Sequence, residues 1–267
     1  MRLHRVTRSV PLRLGDTDAL WREEMPESKA LKKSTAKFRE QIGDLQARLY
    51  ADGRYALLVV LQGRDASGKD GTIRKVFSEV DPQGCEVTSW KVPTELERKH
   101  DFLWRIHHRV PPRGMIGVFN RSHYEDVLVP RVKFGMTEGQ AVERLQQINE
   151  FERMLAANRV VILKFALHIS RTEQRARLQD RLEDPTKNWK FNPGDLDDRK
   201  LWDDYTRAYR LCLSRTSTSW APWHVVPADD KDVRNHLIAR KVAEVMGRLK
   251  LKYPRASTQV LAMRVPK

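Results

Sequence analysis

The sequence predicts an α/β protein with a mostly parallel β-sheet of about five strands and helices on both faces. Short apolar runs typical of buried strands alternate with amphipathic helical segments, which is the pattern of βαβ units. A glycine-rich segment directly follows the first of these runs and opens a helical segment. No internal repeat and no Gly/Ser- or Pro-rich linker divides the chain. In such a sheet a ligand lies beyond the carboxyl ends of the strands, so we expect the functional residues among those that follow each strand.

The predicted strands are short runs rich in Val, Leu, Ile and aromatic residues, bounded by turn residues. Near-continuous apolar runs of this kind are typical of parallel strands that are buried on both faces. In chain order they are Tyr55–Gln62, Cys85–Val92, Met115–Asn120, Val160–Ile169 and Trp223–Pro227.

The predicted helices carry apolar residues at helical spacing on one face. Ser170 is a plausible N-cap, and Glu173 completes a capping box with it. In chain order the helices are residues 28–51, Asp70–Val80, Thr94–Arg109, Thr137–Ala157, Ser170–Leu182, Arg199–Ser214 and Asp230–Leu249. Residues Glu183–Asp197 contain two prolines, one glycine and little apolar periodicity, so we expect a long loop or flap there.

These elements suggest one folded domain over residues 28–253. We expect a basic N-terminal tail over residues 1–27 and a C-terminal tail over residues 254–267. The segment 171–200 is expected to form a helical lid over the carboxyl ends of the strands.

The charge balance of the chain indicates an anionic partner. The 267 residues include 50 Lys and Arg against 35 Asp and Glu, a formal net charge of +15. Nucleic acid, anionic lipid, nucleotide and inorganic polyphosphate all fit such a surface.

The same composition excludes several classes of protein. Two cysteines without a CxxC spacing argue against a disulfide framework and a cysteine zinc site. The longest apolar run, Tyr55–Leu61, is far shorter than the ~20 residues of a membrane span. We therefore expect a cytoplasmic protein without a membrane partner.

A phosphate-binding loop follows the first predicted strand. The spacing from Gly63 to Lys69 fits the pattern G-x-x-x-x-G-K, in which backbone N–H groups, a helix N-terminus and a lysine hold phosphate. The position after the lysine usually holds Ser or Thr as a magnesium ligand, but here it is Asp70. With Asp65 also in the loop, two carboxylates beside phosphate imply Mg²⁺, held by Asp65 and as an alternative by Asp70. The candidate binding residues here are Gly63, Arg64, Asp65, Ala66, Ser67, Gly68, Lys69, Asp70, Gly71 and Thr72.

A second candidate cluster follows the strand Met115–Asn120. Arg121 at its end can neutralise a phosphoryl group in transfer. Glu125 and Asp126 can serve a metal ion or the acceptor, or simply begin a helix. The candidates here are Asn120, Arg121, Glu125, Arg131 and Lys133, with Asp126 as a further possible metal ligand.

The predicted lid is rich in cations that could close over phosphate. A mobile basic segment would expel water and stabilise charge, but a solvated helix with pairs such as Glu173–Arg177 accounts for the same pattern. The candidate phosphate-binding residues of the lid are Arg181, Lys187 and Lys190.

Three motifs in this order resemble the polyphosphate kinase 2 family. They are LQGRDASGKDGT at Leu61–Thr72, VFNRSHYEDVL at Val118–Leu128 and WKFNPGDL at Trp189–Leu196. Ala221–Trp223 and Val226–Ala228 are similar as well, so the resemblance runs from about residue 28 to residue 253. The string Asn120–Asp126 is similar to the branch called class III.

The resemblance implies a P-loop kinase fold with a helical lid. It implies Mg²⁺-dependent transfer of a phosphoryl group between inorganic polyphosphate and purine nucleotides (AMP, ADP and ATP), in a protein expected to form a homo-oligomer. The family's functional positions fall on Asp65, Lys69 and Arg121. Asn120 stands where other branches have Asp, which removes one carboxylate. We expect AMP to be converted to ADP, and ADP to ATP.

Two other functions remain as alternatives. An ATP-dependent nucleoside monophosphate or small-molecule kinase would share the fold, but it predicts Ser or Thr at position 70 rather than Asp70. A basic nucleic-acid-binding protein would need aromatic residues alternating along a basic groove, and the sequence has no such alternation.

Overall fold

A five-stranded sheet in which every pairing is parallel forms the centre of the protein. The computed structural model describes residues 3, 5–7, 12–24 and 26–266. The strands are β1 (Ala56–Gly63), β2 (Cys85–Ser89), β3 (Ile116–Asn120), β4 (Val160–His168) and β5 (Trp223–Pro227). Their order across the sheet is β2-β3-β1-β4-β5. After β1 the chain fills one side of the sheet with β2 and β3 and then crosses to the other. The carboxyl ends of β1, β3 and β4 therefore border a topological switch point.

Helices cover both faces of this sheet, as the sequence predicts. In chain order they are α1 (Ser28–Asp52), α2 (Lys69–Val76), α3 (Glu95–Arg98), α4 (Trp104–His107), α5 (Glu125–Lys133), α6 (Glu138–Ala157), α7 (Arg171–Glu183), α8 (Gly194–Lys200), α9 (Trp202–Thr216), α10 (Lys231–Arg248) and α11 (Thr258–Ala262). Among the residues described, no helix combines the length and the apolar character needed to cross a membrane.

Strand β1 shows how the two faces form. Its side chains alternate between the faces, and all eight residues are buried. Leu57 and Val59 belong to a core cluster with residues of α1, α2 and α10. Leu58 and Val60 belong to a second cluster with residues of α5, α6 and α9. Burial on both faces explains why the sequence of β1 is continuously apolar.

Three predicted elements were too long, and the first of them, the helix predicted over Asp70–Val80, ends at Val76. The predicted helix Thr94–Arg109 is two short helices, α3 and α4, because Asp101 accepts a hydrogen bond from the backbone N–H of Leu103 and forms a turn between them. The predicted strand Cys85–Val92 ends at Ser89, because Ser89 pairs with Asn120, the last residue of its neighbour β3.

The predicted flap Glu183–Asp197 contains more regular structure than its composition indicates. It includes a 3₁₀ turn at Asn188–Lys190 and the first half of α8. The helical segment expected from Arg199 onward is divided at Leu201 between α8 and α9.

The described part of the N-terminal segment packs against the domain rather than projecting from it. Arg5 forms an antiparallel bridge with His224 of β5, and Leu14 is buried. Asp16 accepts a hydrogen bond of 3.0 Å from the backbone N–H of Arg171, the first residue of α7. This segment therefore links the free edge of the sheet to the base of the predicted lid. At the other end of the chain, residues 252–266 are all exposed.

Candidate active site

The loop between β1 and α2 is a tight turn whose shape requires glycine. Gly68 has φ +98°, and a Cβ atom there would lie 2.1 Å from a guanidinium nitrogen of Arg234. Ala66 also has a positive φ, of 61°. Such consecutive left-handed and right-handed residues form a concave nest of backbone N–H groups at the N-terminus of α2, which favours an anion. The structure thus supports the geometry predicted for Gly63–Thr72.

Two arginines, the buried Arg234 and the largely buried Arg177, support this loop from the protein side. Arg177 donates to the backbone oxygen of Ala66 at 3.0 Å, and Arg234 donates to that of Ser67 at 3.2 Å. Burial lowers the pKa of Arg234 to about 10. Both arginines add positive potential beneath the loop. The sequence pattern did not indicate this role, because Arg177 also makes the expected pair with Glu173 and Arg234 lies on a separate helix.

Lys69 is the first residue of α2, and its side chain folds back into the preceding loop. Its Nζ donates to the backbone oxygens of Gly63 at 2.6 Å and Arg64 at 3.1 Å. The side chain is buried, and burial together with the nearby positive charge of Arg121 lowers the pKa of its ammonium. The lysine therefore needs little rearrangement to meet a phosphate in the loop.

Asp65 and Arg121 form an ion pair across the mouth of the loop. The carboxylate and the guanidinium lie 2.5 Å apart, and a second contact of 3.5 Å joins Arg121 to Glu125. Arg121 has φ 65°, a left-handed conformation that is unfavourable for a residue with a side chain. Its backbone N–H donates to Leu61 of β1 at 2.9 Å, which helps to fix this geometry. A strained residue at a strand end is a typical feature of a functional site.

The carboxylates of the site are in different electrostatic environments. Burial opposes ionisation of Asp65, but the positive charges of Lys69, Arg121 and Arg181 outweigh it and lower its pKa. Burial instead raises the pKa of Glu125, whose carboxylate accepts a hydrogen bond from Gln62. Asp65 is therefore the carboxylate of this pair that is best able to hold a cation.

A pocket lies between the loop, the end of β3, helix α5, the lid helices α7 and α8, and α9. Its lining includes five predicted residues, Gly63, Arg64, Asp65, Arg121 and Glu125. Five more were not predicted, and these are Val129, Gln174, Asp198, Tyr205 and Tyr209. Tyr205 and Tyr209 are four residues apart on α9, so their spacing places them on one face. Nothing in the sequence indicated that this face borders the phosphate loop.

Arg64 connects the loop to α9. Its guanidinium lies 4.0 Å from the ring centre of Trp202, and it donates to the hydroxyl of Thr206 at 2.6 Å. This contact joins the phosphate loop to the helix that carries the two pocket tyrosines.

The remaining predicted residues near β3 lie at the margin of this centre. Asn120 donates to Asp70 at 2.6 Å. These two residues therefore contact each other, and both depart from the usual motifs, since Asp70 stands in place of Ser or Thr and Asn120 in place of Asp. Asp126 is paired with Arg105 at 3.1 Å and does not line the pocket. Arg131 donates to the backbone of Met136 at 2.7 Å, and Lys133 pairs with Asp198.

The predicted lid cations fall into two groups. Arg181 pairs with Asp195 at 3.3 Å, and burial with the nearby charge of Asp65 raises the pKa of Asp195 to about 6. Lys187 instead pairs with Asp184 at 2.7 Å on the exposed side of the lid, and Lys190 lies 4.9 Å from the ring centre of Trp189. Asp195 lies within the motif Trp189–Leu196 and is not among the predicted site residues, and the structure places it beside Arg181.

The donor set fits a magnesium ion that is shared with phosphate. Among residues 3, 5–7, 12–24 and 26–266, no group of three or more His, Cys, Asp or Glu side chains could hold a metal alone. Magnesium bound with nucleotides commonly takes only one or two carboxylates, and phosphates and water complete its shell. Asp65, a partly buried carboxylate with a lowered pKa beside a phosphate loop, matches that chemistry.

Comparisons with known proteins identify relatives that share this architecture. The sequence profile of the family described as Polyphosphate kinase 2 (PPK2) matches residues 25–253. The AMP/ADP-polyphosphate phosphotransferase of Meiothermus ruber is 51% identical over 223 residues, which cover 84% of each chain. The ADP-polyphosphate phosphotransferase of Rhodopseudomonas palustris is 47% identical over 80% of this chain and 78% of its own. The crystal structure of Polyphosphate Kinase 2 from Arthrobacter aurescens TC1 superposes with a TM-score of 0.86 at 41% identity, and covers 89% of this chain and 86% of that one.

Proposed function

The chain belongs to the polyphosphate kinase 2 family, and we propose that its single site converts AMP to ADP and then ADP to ATP. It is a polyphosphate-dependent nucleotide kinase with a P-loop kinase fold. The observation that carries the proposal is the Asp65–Arg121 ion pair above a loop that contains Lys69. The name of the relative from Meiothermus ruber, which includes both AMP and ADP, supports two acceptors.

The cations of the site are suited to stabilise the phosphoryl group during transfer. Negative charge spreads over the equatorial oxygens in the transition state, and fixed positive groups lower its energy. Lys69 supplies charge from the loop, and Arg121 supplies it from the end of β3. Asp65 holds the Arg121 guanidinium in place.

Magnesium would neutralise the phosphate oxygens and orient them when bound. Asp65 would hold it, and Asp70 offers a second oxygen ligand at the start of α2. The remaining ligands would come from the substrates and water, as the small number of carboxylates requires.

The pocket is suited to acceptors that carry one or two phosphates. An in-line transfer requires the attacking oxygen to lie about 3–3.5 Å from the donor phosphorus, so the nucleoside must shift by one phosphate when ADP replaces AMP. Tyr205, Tyr209 and Val129 offer aromatic and aliphatic surface on which a base could shift. Asn120 adds no negative charge where a second phosphate would lie.

We further infer that the enzyme works in the cytoplasm as a homo-oligomer. The net charge of +15 suits an inorganic polyanion present in that compartment. Light scattering after size-exclusion chromatography checks the oligomeric state.

Exchange of the phosphate donor tests the proposed function. The enzyme is given AMP and Mg²⁺ with either long-chain polyphosphate or ATP, and the products are separated by chromatography. We expect ADP and ATP from polyphosphate, and a turnover with ATP as donor that is at least about 10-fold slower. Lys69→Ala is the inactive control, since loss of a preorganised charge costs about 10²–10³-fold in turnover. A preference for ATP would instead support the ATP-dependent kinase alternative.

A further inference from the structure

A buried charged network lies directly behind the catalytic end of β3. Lys164 of β4 and Glu152 of α6 form an ion pair of 2.6 Å in which neither side chain is more than 1% exposed. Lys164 also donates to the hydroxyl of Tyr124 and to the backbone oxygen of Thr216, each at 2.8 Å. Each hydrogen of the ammonium therefore has an acceptor.

Glu152 joins this pair to the two residues that precede Glu125. One carboxylate oxygen accepts a hydrogen bond of 2.9 Å from the hydroxyl of Tyr124 and lies 3.2 Å from Nε2 of His123. Despite burial, the positive charge of Lys164 lowers the pKa of Glu152, which keeps the carboxylate ionised as an acceptor.

Stability alone gives little reason for a charged pair at this position. Removing two charges from water is costly, and well-packed apolar residues of the same volume often stabilise a protein equally or better. The pair lies among large buried side chains, with Lys164 Nζ 5.2 Å and 5.1 Å from the ring centres of Tyr124 and Trp223, and these surroundings could accommodate such a replacement. A directional network offers something that apolar packing does not, namely a fixed orientation for the groups that it binds.

The network binds one side of the turn that carries the catalytic groups. On the other side of this turn, Ser122 donates to Gln62 of β1 at 3.1 Å, and Gln62 donates to Glu125. The turn between the strained Arg121 and Glu125 is thus held from β1 through Gln62, and from β4 and α6 through Tyr124 and His123. Loss of either support would remove part of what holds Arg121 in its left-handed conformation, besides its own bonds to Leu61 and Asp65.

We propose that Glu152 and Lys164 are positioning residues for phosphoryl transfer, which hold Arg121 in the orientation that the reaction requires. This inference rests on the proposed function of the site. Neither residue touches the pocket, and both act through the turn between β3 and α5. A misplacement of about 1 Å at a reacting group can cost about 10²-fold in rate, so the effect is measurable.

The test compares steady-state kinetics of Glu152→Gln and Lys164→Met with and without Arg121→Ala. We expect each single substitution to lower kcat by about 10-fold or more, with changes below about 3-fold in KM for AMP and for polyphosphate. In the Arg121→Ala background, the same substitutions should change kcat by less than about 2-fold, because they act through Arg121.

A matched control separates positioning from stability. Thr35→Val removes a part-buried hydrogen bond of 3.0 Å to His236 between α1 and α10. We expect it to lower Tm while kcat per folded molecule stays at the wild-type value. If Glu152→Gln and Lys164→Met behave like this control, or if their effects multiply with that of Arg121→Ala, the network is only structural and the inference is wrong.

Tyr124→Phe keeps the test decisive if the charge variants do not fold. It retains the ring and removes only the hydroxyl that joins Lys164 to Glu152. If Tyr124→Phe lowers kcat by about 3-fold or more in the otherwise wild-type enzyme, and does not change kcat in the Arg121→Ala background, the result supports positioning. A wild-type kcat contradicts it. A wild-type enzyme that is itself inactive with AMP and polyphosphate would instead overturn the proposed function.

Discussion

Several residues that the structure brings together at the candidate site could be selected from the sequence because they occupy fixed positions in local motifs. Lys69 follows a glycine at the start of a helix, and Arg121 follows a buried strand, so each was recognisable without knowledge of the tertiary structure. Arg177 and Arg234 could not be predicted, since their partners are backbone oxygens of a loop distant in sequence. Hydrogen bonds to the main chain leave no pattern in the side chains of the partner.

Asp65 is the residue whose substitution most directly tests the magnesium assignment. We expect Asp65→Asn to lower kcat by about 10³-fold, because it removes both the partner of Arg121 and the charge that would hold Mg²⁺. Activity is measured across a magnesium titration, with Asp197→Asn as the control, since that carboxylate is exposed and pairs with Lys200 outside the pocket. Wild-type turnover of Asp65→Asn at saturating Mg²⁺ would show that the assignment is wrong.

At the scale of elements, the strands, the long helices and the first helix of the lid were predictable, and the second half of the lid was not. Buried parallel strands and amphipathic helices leave periodic apolar patterns, whereas the segment from Asn188 to Lys200 is held by polar contacts and short turns. The predicted helix Thr94–Arg109 failed for the same reason, because a single side-chain turn at Asp101 divides it.

The phosphate loop should tolerate no side chain at Gly68. Gly68→Ala is expected to abolish activity and lower Tm, since its Cβ would lie 2.1 Å from Arg234 and φ +98° is strained for alanine. Gly247→Ala is the matched control, because a Cβ there meets nothing within 4 Å and alanine favours the helix. Thermal unfolding and steady-state rates measure both. A fully active Gly68→Ala would contradict the nest geometry.

The free energy of unfolding should depend on pH through Asp195, a residue of the lid. Its pKa of about 6 in the folded protein lies above the ordinary value of 3.8. The wild type therefore loses stability as pH rises from about 4 to 6, because the unfolded state ionises first. Asp195→Asn removes this penalty, and we expect it to be more stable than the wild type above pH 6 by up to about 3 kcal/mol.

Denaturant unfolding of both proteins between pH 4.5 and 8 measures this difference. The advantage of Asp195→Asn should shrink as pH falls toward the ordinary pKa of 3.8. A variant that is less stable than the wild type at pH 8 would show that the pair with Arg181 outweighs the cost of burial.

At the scale of the whole molecule, the net charge of +15 predicted a polyanionic partner but not where it binds. The structure divides the predicted cations between a buried centre around Lys69 and exposed positions on the lid. This division has a measurable consequence for binding of a polymer.

Affinity for polyphosphate should fall steeply as salt concentration rises, with a log–log slope of several units, because bound phosphates release counterions. Replacing Lys187 and Lys190 together by Gln should reduce this slope by about one to two units. Replacing Lys29 and Lys33, which are exposed on α1, should leave it unchanged. Fluorescence titrations at several salt concentrations measure the slope. An unaltered slope for the lid variant would show that these lysines do not contact the polymer.

The central claim is that one site phosphorylates AMP and then ADP at the expense of polyphosphate. A time course that starts from AMP, long-chain polyphosphate and Mg²⁺ without ATP tests it most directly, with nucleotides quantified by chromatography. We predict that ADP rises and then falls while ATP accumulates, and that Lys69→Ala abolishes both steps together because both use the same loop. Accumulation of ADP as the final product, or phosphorylation of ADP without any of AMP, would contradict the claim.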